Sequence, residues 1–215
     1  AWDPRGWRQR VNEGAPTAAD ASKAERSLAT WLGECEVRLP DVLGDVGNPA
    51  LGLRVLIVTD SNKAVEDALV RWASGVRAAT RVDVARPRMG GDAWSADIVR
   101  TEWPGGTRDD AQPCAGAGLC VFRVERDLED VVGALCAGIE PRGTGNASGG
   151  GPAQALAPGA RLLGQIRLGR RSRHRRANER AAGLFRAKGF TQTRVLHLLA
   201  DRERERTLAC RWGVN

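Results

Sequence analysis

Tyrosine is absent from this chain of 215 residues, and Phe, His and Met are scarce, at three, two and one. Residues with A/T-rich codons are depleted as a group, as a GC-rich coding sequence would cause. Lysine is nearly missing too. Lys23, Lys63 and Lys188 stand among 33 basic residues, and the rest are arginine. With His174 and His197 as the whole histidine supply, neither in a recognisable setting, no Ser-His-Asp triad is predicted. No run approaches the roughly 18 apolar residues of a membrane-spanning helix, so no membrane span is expected. Cys35, Cys114, Cys120, Cys136 and Cys210 contain no Cys-x-x-Cys pair. They predict no zinc site and read as reduced thiols. The first residues, Ala1-Trp2-Asp3-Pro4-Arg5, lack a charged segment followed by an apolar core, so no secretory signal is expected. These absences predict an intracellular protein in a reducing compartment, an organelle included, with no metal, no cofactor and no catalytic residue.

What is present is a globular composition, 42% hydrophobic and 27% charged, at a length of one to two domains. The net charge of +7 is unevenly spread. Residues 161–211 hold fourteen arginines and Lys188 against Glu179, Asp201, Glu203 and Glu205, a net +11, so the remainder nets −4. A mildly acidic body with a strongly basic C-terminal quarter points to a polyanionic partner.

Along the chain, residues 1–16 read as an extended arm, whose Trp2 and Trp7 are interface-type anchors for a protein complex. Leu28, Trp31, Leu32 and Cys35 sit at helical spacing, predicting a helix over 18–35, and the Pro- and Gly-containing stretch 39–50 predicts a loop. The clearest unit follows. Residues 53–58 form an apolar strand, Thr59-Asp60-Ser61-Asn62 supply helix-capping types, and Val65, Ala68, Leu69 and Trp72 line a helical face. Residues 80–84 alternate as a second strand, completing a βαβ unit. Residues 86–118 read as irregular with a short strand at Ile98-Val99. Residues 119–124 predict a strand and 127–138 a helix. Six glycines from Gly143 to Gly159 predict a linker. Beyond it, 162–168 predicts a strand and 178–188 a helix, while 194–211 fits either two strands around a charged turn or one helix. The expected division is an arm and helix over 1–50, an α/β domain over 51–140, a linker over 141–160 and a basic α+β segment over 161–215.

On these residues, 53–140 resembles a response-regulator receiver domain, with its apolar first strand, acidic residue and amphipathic helix. The resemblance implies a flavodoxin-like doubly wound sheet, with Asp60 at the acidic pocket and Glu102 at the phospho-acceptor position. Residues 178–190, around Phe185, are similar to the last helix of GCN5-related N-acetyltransferases. With Arg142-Gly143-Thr144-Gly145 as a pyrophosphate loop, that resemblance implies an acyl-coenzyme A-dependent transferase. Phe185 stands where that family often has a tyrosine acid.

The expectation is therefore a degenerate doubly wound α/β sheet with a basic α+β segment. Its expected role is non-enzymatic: an arginine-rich strip, Arg170, Arg171, Arg173, Arg175 and Arg176 with Arg180, contacts the phosphates of RNA or DNA as part of a regulator or a ribonucleoprotein subunit. The alternatives are the acetyltransferase and a structural subunit docked on an acidic partner.

Overall fold

The computed structural model describes residues 18–44, 52–76, 79–90, 93–104, 116–127, 156–167, 174–187, 189–201 and 205–213. Its centre is a seven-stranded sheet flanked by helices, so the α/β expectation holds.

The first strand, β1 (Leu53–Thr59), is buried at every position but Arg54. Such continuous burial belongs to a parallel strand covered on both faces. β2 (Ala79–Gly90) and β4 (Ala117–Asp127) pair parallel to β1 on its two sides. β3 (Ala93–Glu102) runs antiparallel along the outer side of β2. β5 (Leu156–Arg167) lies parallel to β4. The two remaining strands close the sheet: β7 (Glu205–Trp212) inserts antiparallel beside β5, and β6 (Phe190–Leu196) pairs outside β7. The strand order is β3-β2-β1-β4-β5-β7-β6.

Alternation along each strand divides the core into two layers. Val55, Ile57, Val82, Val84, Leu119, Val121, Leu163 and Ala209 face α1 (Ala18–Leu43) and α2 (Lys63–Ser74). Leu56, Val58, Cys120, Phe122, Leu162, Ile166, Leu208 and Cys210 face α3 (His174–Ala187), which contributes Ala181 and Phe185. Helix α2 starts where its capping residues predict: the Asn62 side chain accepts a hydrogen bond from the Val65 amide at 3.0 Å. Gly75 closes it.

Three expectations are corrected. The loop over 39–50 begins late, because α1 continues through Pro40 to Leu43. Pro40 forfeits an intrahelical bond, but its neighbours Leu39, Val42 and Leu43 are all buried against the sheet. The region after Arg86 is a hairpin rather than irregular chain, with Gly90 paired to Ala93. The linker expected to reach residue 160 gives way to strand at Leu156, where Ala117 opposes Leu156 but Leu119 opposes Arg161. The extra residues, Pro158 and Gly159 among them, form a bulge, and Gly159 takes a φ of 77°. Of the two readings of 194–211, the strand pair is the one found. Strands from both sides of the expected linker thus belong to one sheet.

Gly164 on β5 sits opposite Phe122 on β4, and a Cβ there would fall 2.2 Å from Phe122 Cδ1. Gly164→Ala is expected to destabilise the fold by about 1–3 kcal/mol through overpacking. Urea unfolding measures it. An unchanged midpoint would mean that the Phe122 ring swings aside at no cost.

Candidate functional site at the carboxyl edge of the sheet

Strand order reverses at β1. The chain leaves β1 through α2 to β2 on one side, while β4 occupies the other. In open parallel sheets the crevice outside the carboxyl ends at such a reversal is where ligands bind. Here that crevice is bounded by Thr59-Asp60-Ser61-Asn62, by the first turn of α2, and by Arg123 of β4, which stands beside Thr59.

The turn is tightly organised. Thr59 is fully buried, and its hydroxyl accepts the Ser61 amide at 3.1 Å. The Asn62 carbonyl accepts the Glu66 amide at 3.0 Å, while its side chain holds Val65. The protein's own side chains thus take amide donors that a phosphate would need at a helix N-terminus. No glycine lies between Thr59 and Lys63 to let a pyrophosphate approach the backbone. Asp60, half-buried at the strand end, adds negative charge. The Ser61 hydroxyl is buried with no hydrogen-bond partner among the described residues.

Behind the turn lies a charged network. Glu66, buried on α2, binds Arg86 at 2.6 Å and approaches Arg100 at 3.6 Å. Arg100 also binds Asp67 and, at 2.8 Å, Glu102. The hydrogen bond from Arg100 holds the Asp67 carboxyl below the usual carboxylate range, and the same bonds push the Arg100 guanidinium up.

Asp60 and Glu102 are not brought together. Glu102 opposes Val82, which is level with Val55 on β1. Asp60 lies five residues further along, about 16 Å at the rise of a strand. Since β3 runs antiparallel, Glu102 ends its strand toward the opposite edge. This removes the receiver pocket, and the strand order is not the 2-1-3-4-5 of receiver sheets. The acetyltransferase reading loses its anchor as well. Phe185 is fully buried, 6.1 Å from the Phe122 ring and 5.3 Å from that of Phe190, in a stack that extends to Trp212. That position faces the core and no substrate.

Arg170, Arg171 and Arg173 of the arginine strip lie outside the described residues, as do Trp2, Trp7 and the helix expected after Asp127. Arg175 and Arg176 fall in the first turn of α3, and Arg180 is exposed further along it. Cys35, Cys120 and Cys210 are buried free thiols. Burial pushes the Cys120 thiol up to about 12 and the other two higher still, so all three stay protonated at neutral pH. Free thiols buried in this way do not fix a compartment. Among the described residues, no cluster of His, Cys, Asp and Glu has the arrangement of a metal site. No helix there is long and apolar enough to cross a membrane.

Sequence reasoning read 59–62 as capping residues, with Asp60 as the acidic residue of a receiver-like pocket. The significance of this turn comes from the neighbouring strand, which the local sequence does not encode.

No family model and no curated protein matches the sequence. Among solved structures, the chain is similar to a possible exported protein from Bordetella parapertussis (TM-score 0.38, 14% identity, 76% of this chain and 62% of that one). It is similar to the CurJ carbon methyltransferase (TM-score 0.39, 11% identity, 76% and 49%). It is also similar to the S-adenosylmethionine-dependent methyltransferase SibL (TM-score 0.39, 13% identity, 93% and 60%). The chain spans less than two thirds of the length of each. None of the three is described as a response regulator, an acetyltransferase or a nucleic-acid regulator, and one is described as possibly exported. The receiver resemblance, the nucleic-acid and acetyltransferase functions and the intracellular location find no support in these comparisons and are withdrawn, and the chain stands as an α/β protein whose sheet reverses at β1.

Proposed function

We propose that the crevice at the carboxyl ends of β1 and β4 binds a small ligand bearing a nucleoside without phosphate. The reversal of strand order at β1 is the observation that carries this reading. The chemistry of the turn narrows the ligand. Its Ser61 and Val65 amides are engaged by Thr59 and Asn62, and Asp60 brings a carboxylate. A carboxylate there suits the hydroxyls of a ribose or a cationic group. The buried Ser61 hydroxyl offers a further polar contact. S-adenosylmethionine, a nucleoside with a sulfonium and no phosphate, has this chemistry, and methyl transfer is the reaction it would serve.

Isothermal titration of the full chain with S-adenosylmethionine, NAD+ and ATP tests the reading. S-adenosylmethionine is expected to bind, with both phosphate-bearing nucleotides at least about tenfold weaker. Asp60→Asn is expected to weaken it by about tenfold. Absence of binding, equal binding of ATP, or indifference to Asp60→Asn would each overturn the proposal.

A further inference from the structure

A groove runs between α1 and α2, with a volume of about 740 Å³. The register shows which of its ends meets the crevice. Thr59, Arg123, Gln165 and Thr207 stand in one row across β1, β4, β5 and β7, at the carboxyl edge. The Trp31 indole donates to Thr207, so α1 crosses that row at Trp31. A Cβ on Gly44, just past the end of α1, would lie 3.6 Å from Arg161 Nη2, and Arg161 is four residues back along β5. Helix α1 therefore runs from the carboxyl edge toward the opposite one, and Leu28, one turn before Trp31, stands at the crevice end. Helix α2 runs the same way from its cap at Asn62, with Ala64 in the first turn that bounds the crevice. The groove thus opens beside the crevice between Leu28 and Ala64, and continues for about 12 Å to Trp72.

Its walls are apolar. Leu28 and Leu32 line it from α1, and Ala64 and Ala68 from α2. Trp72, half-buried, closes the far end. Alanine at 64 and 68 keeps the space, which a larger side chain at either position would fill. Charge does not select the occupant. Asp67 and Arg71, which also line the groove, are an acid and a base one turn apart, and Asp67 is bound by Arg100. What the groove offers is apolar contact area, an indole to stack on, and a size within the range of about 300–1,000 Å³ that small-molecule sites occupy.

We infer that this groove binds the flat, uncharged ring body of a second small molecule, one end of which meets the ligand of the crevice. Calling that molecule a second substrate rests on the nucleoside reading of the crevice; the binding of a ring system between α1 and α2 does not. A ring laid against Trp72 gains offset stacking, and it removes the leucine and alanine walls from water.

The test titrates the full chain with 2-naphthol, a fused ring with one hydroxyl, with and without S-adenosylmethionine. The readouts are calorimetry and thermal unfolding. Saturable binding below about 1 mM is expected in both conditions. Ala68→Leu should weaken it by about tenfold or more. The same variant should keep the melting temperature at or above the parent's, because the added side chain enters open space on a helix that favours leucine. Ala64→Leu supplies the same block from the crevice end. Arg186→Gln, an exposed residue on α3, should bind as the parent does. The inference falls if 2-naphthol does not saturate, or if both leucine variants bind it unchanged. It falls if S-adenosylmethionine displaces 2-naphthol, since the two would then share one site. It also falls if Ala68→Leu lowers the melting temperature by several degrees, since the protein's own chain would then fill the space. Binding of 2-naphthol that Ala68→Leu blocks, with no binding of S-adenosylmethionine, would sink the nucleoside reading and leave the ring site standing.

Discussion

Replacing Asp83 with alanine is expected to lower the unfolding free energy by about 3–5 kcal/mol. Asp83 lies on β2 with no exposed surface. Its carboxylate accepts from Arg54 Nε at 2.6 Å, from Arg81 Nε at 3.0 Å and from the Thr101 hydroxyl at 2.6 Å. Alanine would remove the shared acceptor of two arginines and a hydroxyl drawn from three strands. The Arg54 side chain is only 9% exposed, so water cannot take over the role. Asp83→Asn, which keeps a carbonyl acceptor but no charge, should cost less. The pair Arg100–Asp67 makes the contrast. Both of its side chains are about a third exposed, and Asp67→Ala should cost far less than Asp83→Ala. Chemical denaturation of the three variants measures this order. A loss under about 1 kcal/mol for Asp83→Ala would show that the cluster is hydrated.

Trp31→Ala is expected to cost about 3–5 kcal/mol by a different route. Trp31 is 1% exposed on α1, and its indole N–H donates to the Thr207 hydroxyl at 2.9 Å. Thr207 donates in turn to Asp201 at 2.9 Å, and Asp201 also accepts the Thr207 amide at 3.1 Å. Gln165 of β5 joins the same carboxylate at 3.1 Å. One ring therefore fills the space under α1 and fastens it to β7, 176 residues away. Trp31→Phe separates the two effects. It keeps most of the apolar contact and loses the hydrogen bond, for about 1–2 kcal/mol. Equal losses in the two variants would mean that burial contributes little and would contradict the packing argument.

The legible parts of this fold are those whose signal is local. Asn62, with Val65 and Leu69 behind it, announces α2 because cap and periodic face lie within eight residues. β1 is visible because both of its faces are buried, leaving an unbroken apolar run. β3 was reduced to Ile98-Val99 because an edge strand is half solvated: those two residues are about 50% exposed, and its charges pair with α2 instead of alternating with a core. Pro40 read as a stop because propensity is local, whereas the burial of Val42 and Leu43 that overrides it is tertiary. Asp83 looked like the polar half of an alternating strand, and its arginine partners on β1 and β2 become visible only with the register. The resemblances failed because each matched a strand or a helix that many α/β sheets share, while strand order, which separates those sheets, is not written in any single segment.

The insertion of β7 between β5 and β6 has a consequence for how the chain matures. β6 meets the sheet only through β7, although β6 is made first. During synthesis at about 5–20 residues per second, β6 emerges with no neighbour to join, and β5 keeps an open flank. Both wait for residues 205–212. A ribosome stalled before Glu205 would therefore hold a nascent chain missing two strands rather than one, with the apolar flank of β5 presented to chaperones until the final hairpin slides home.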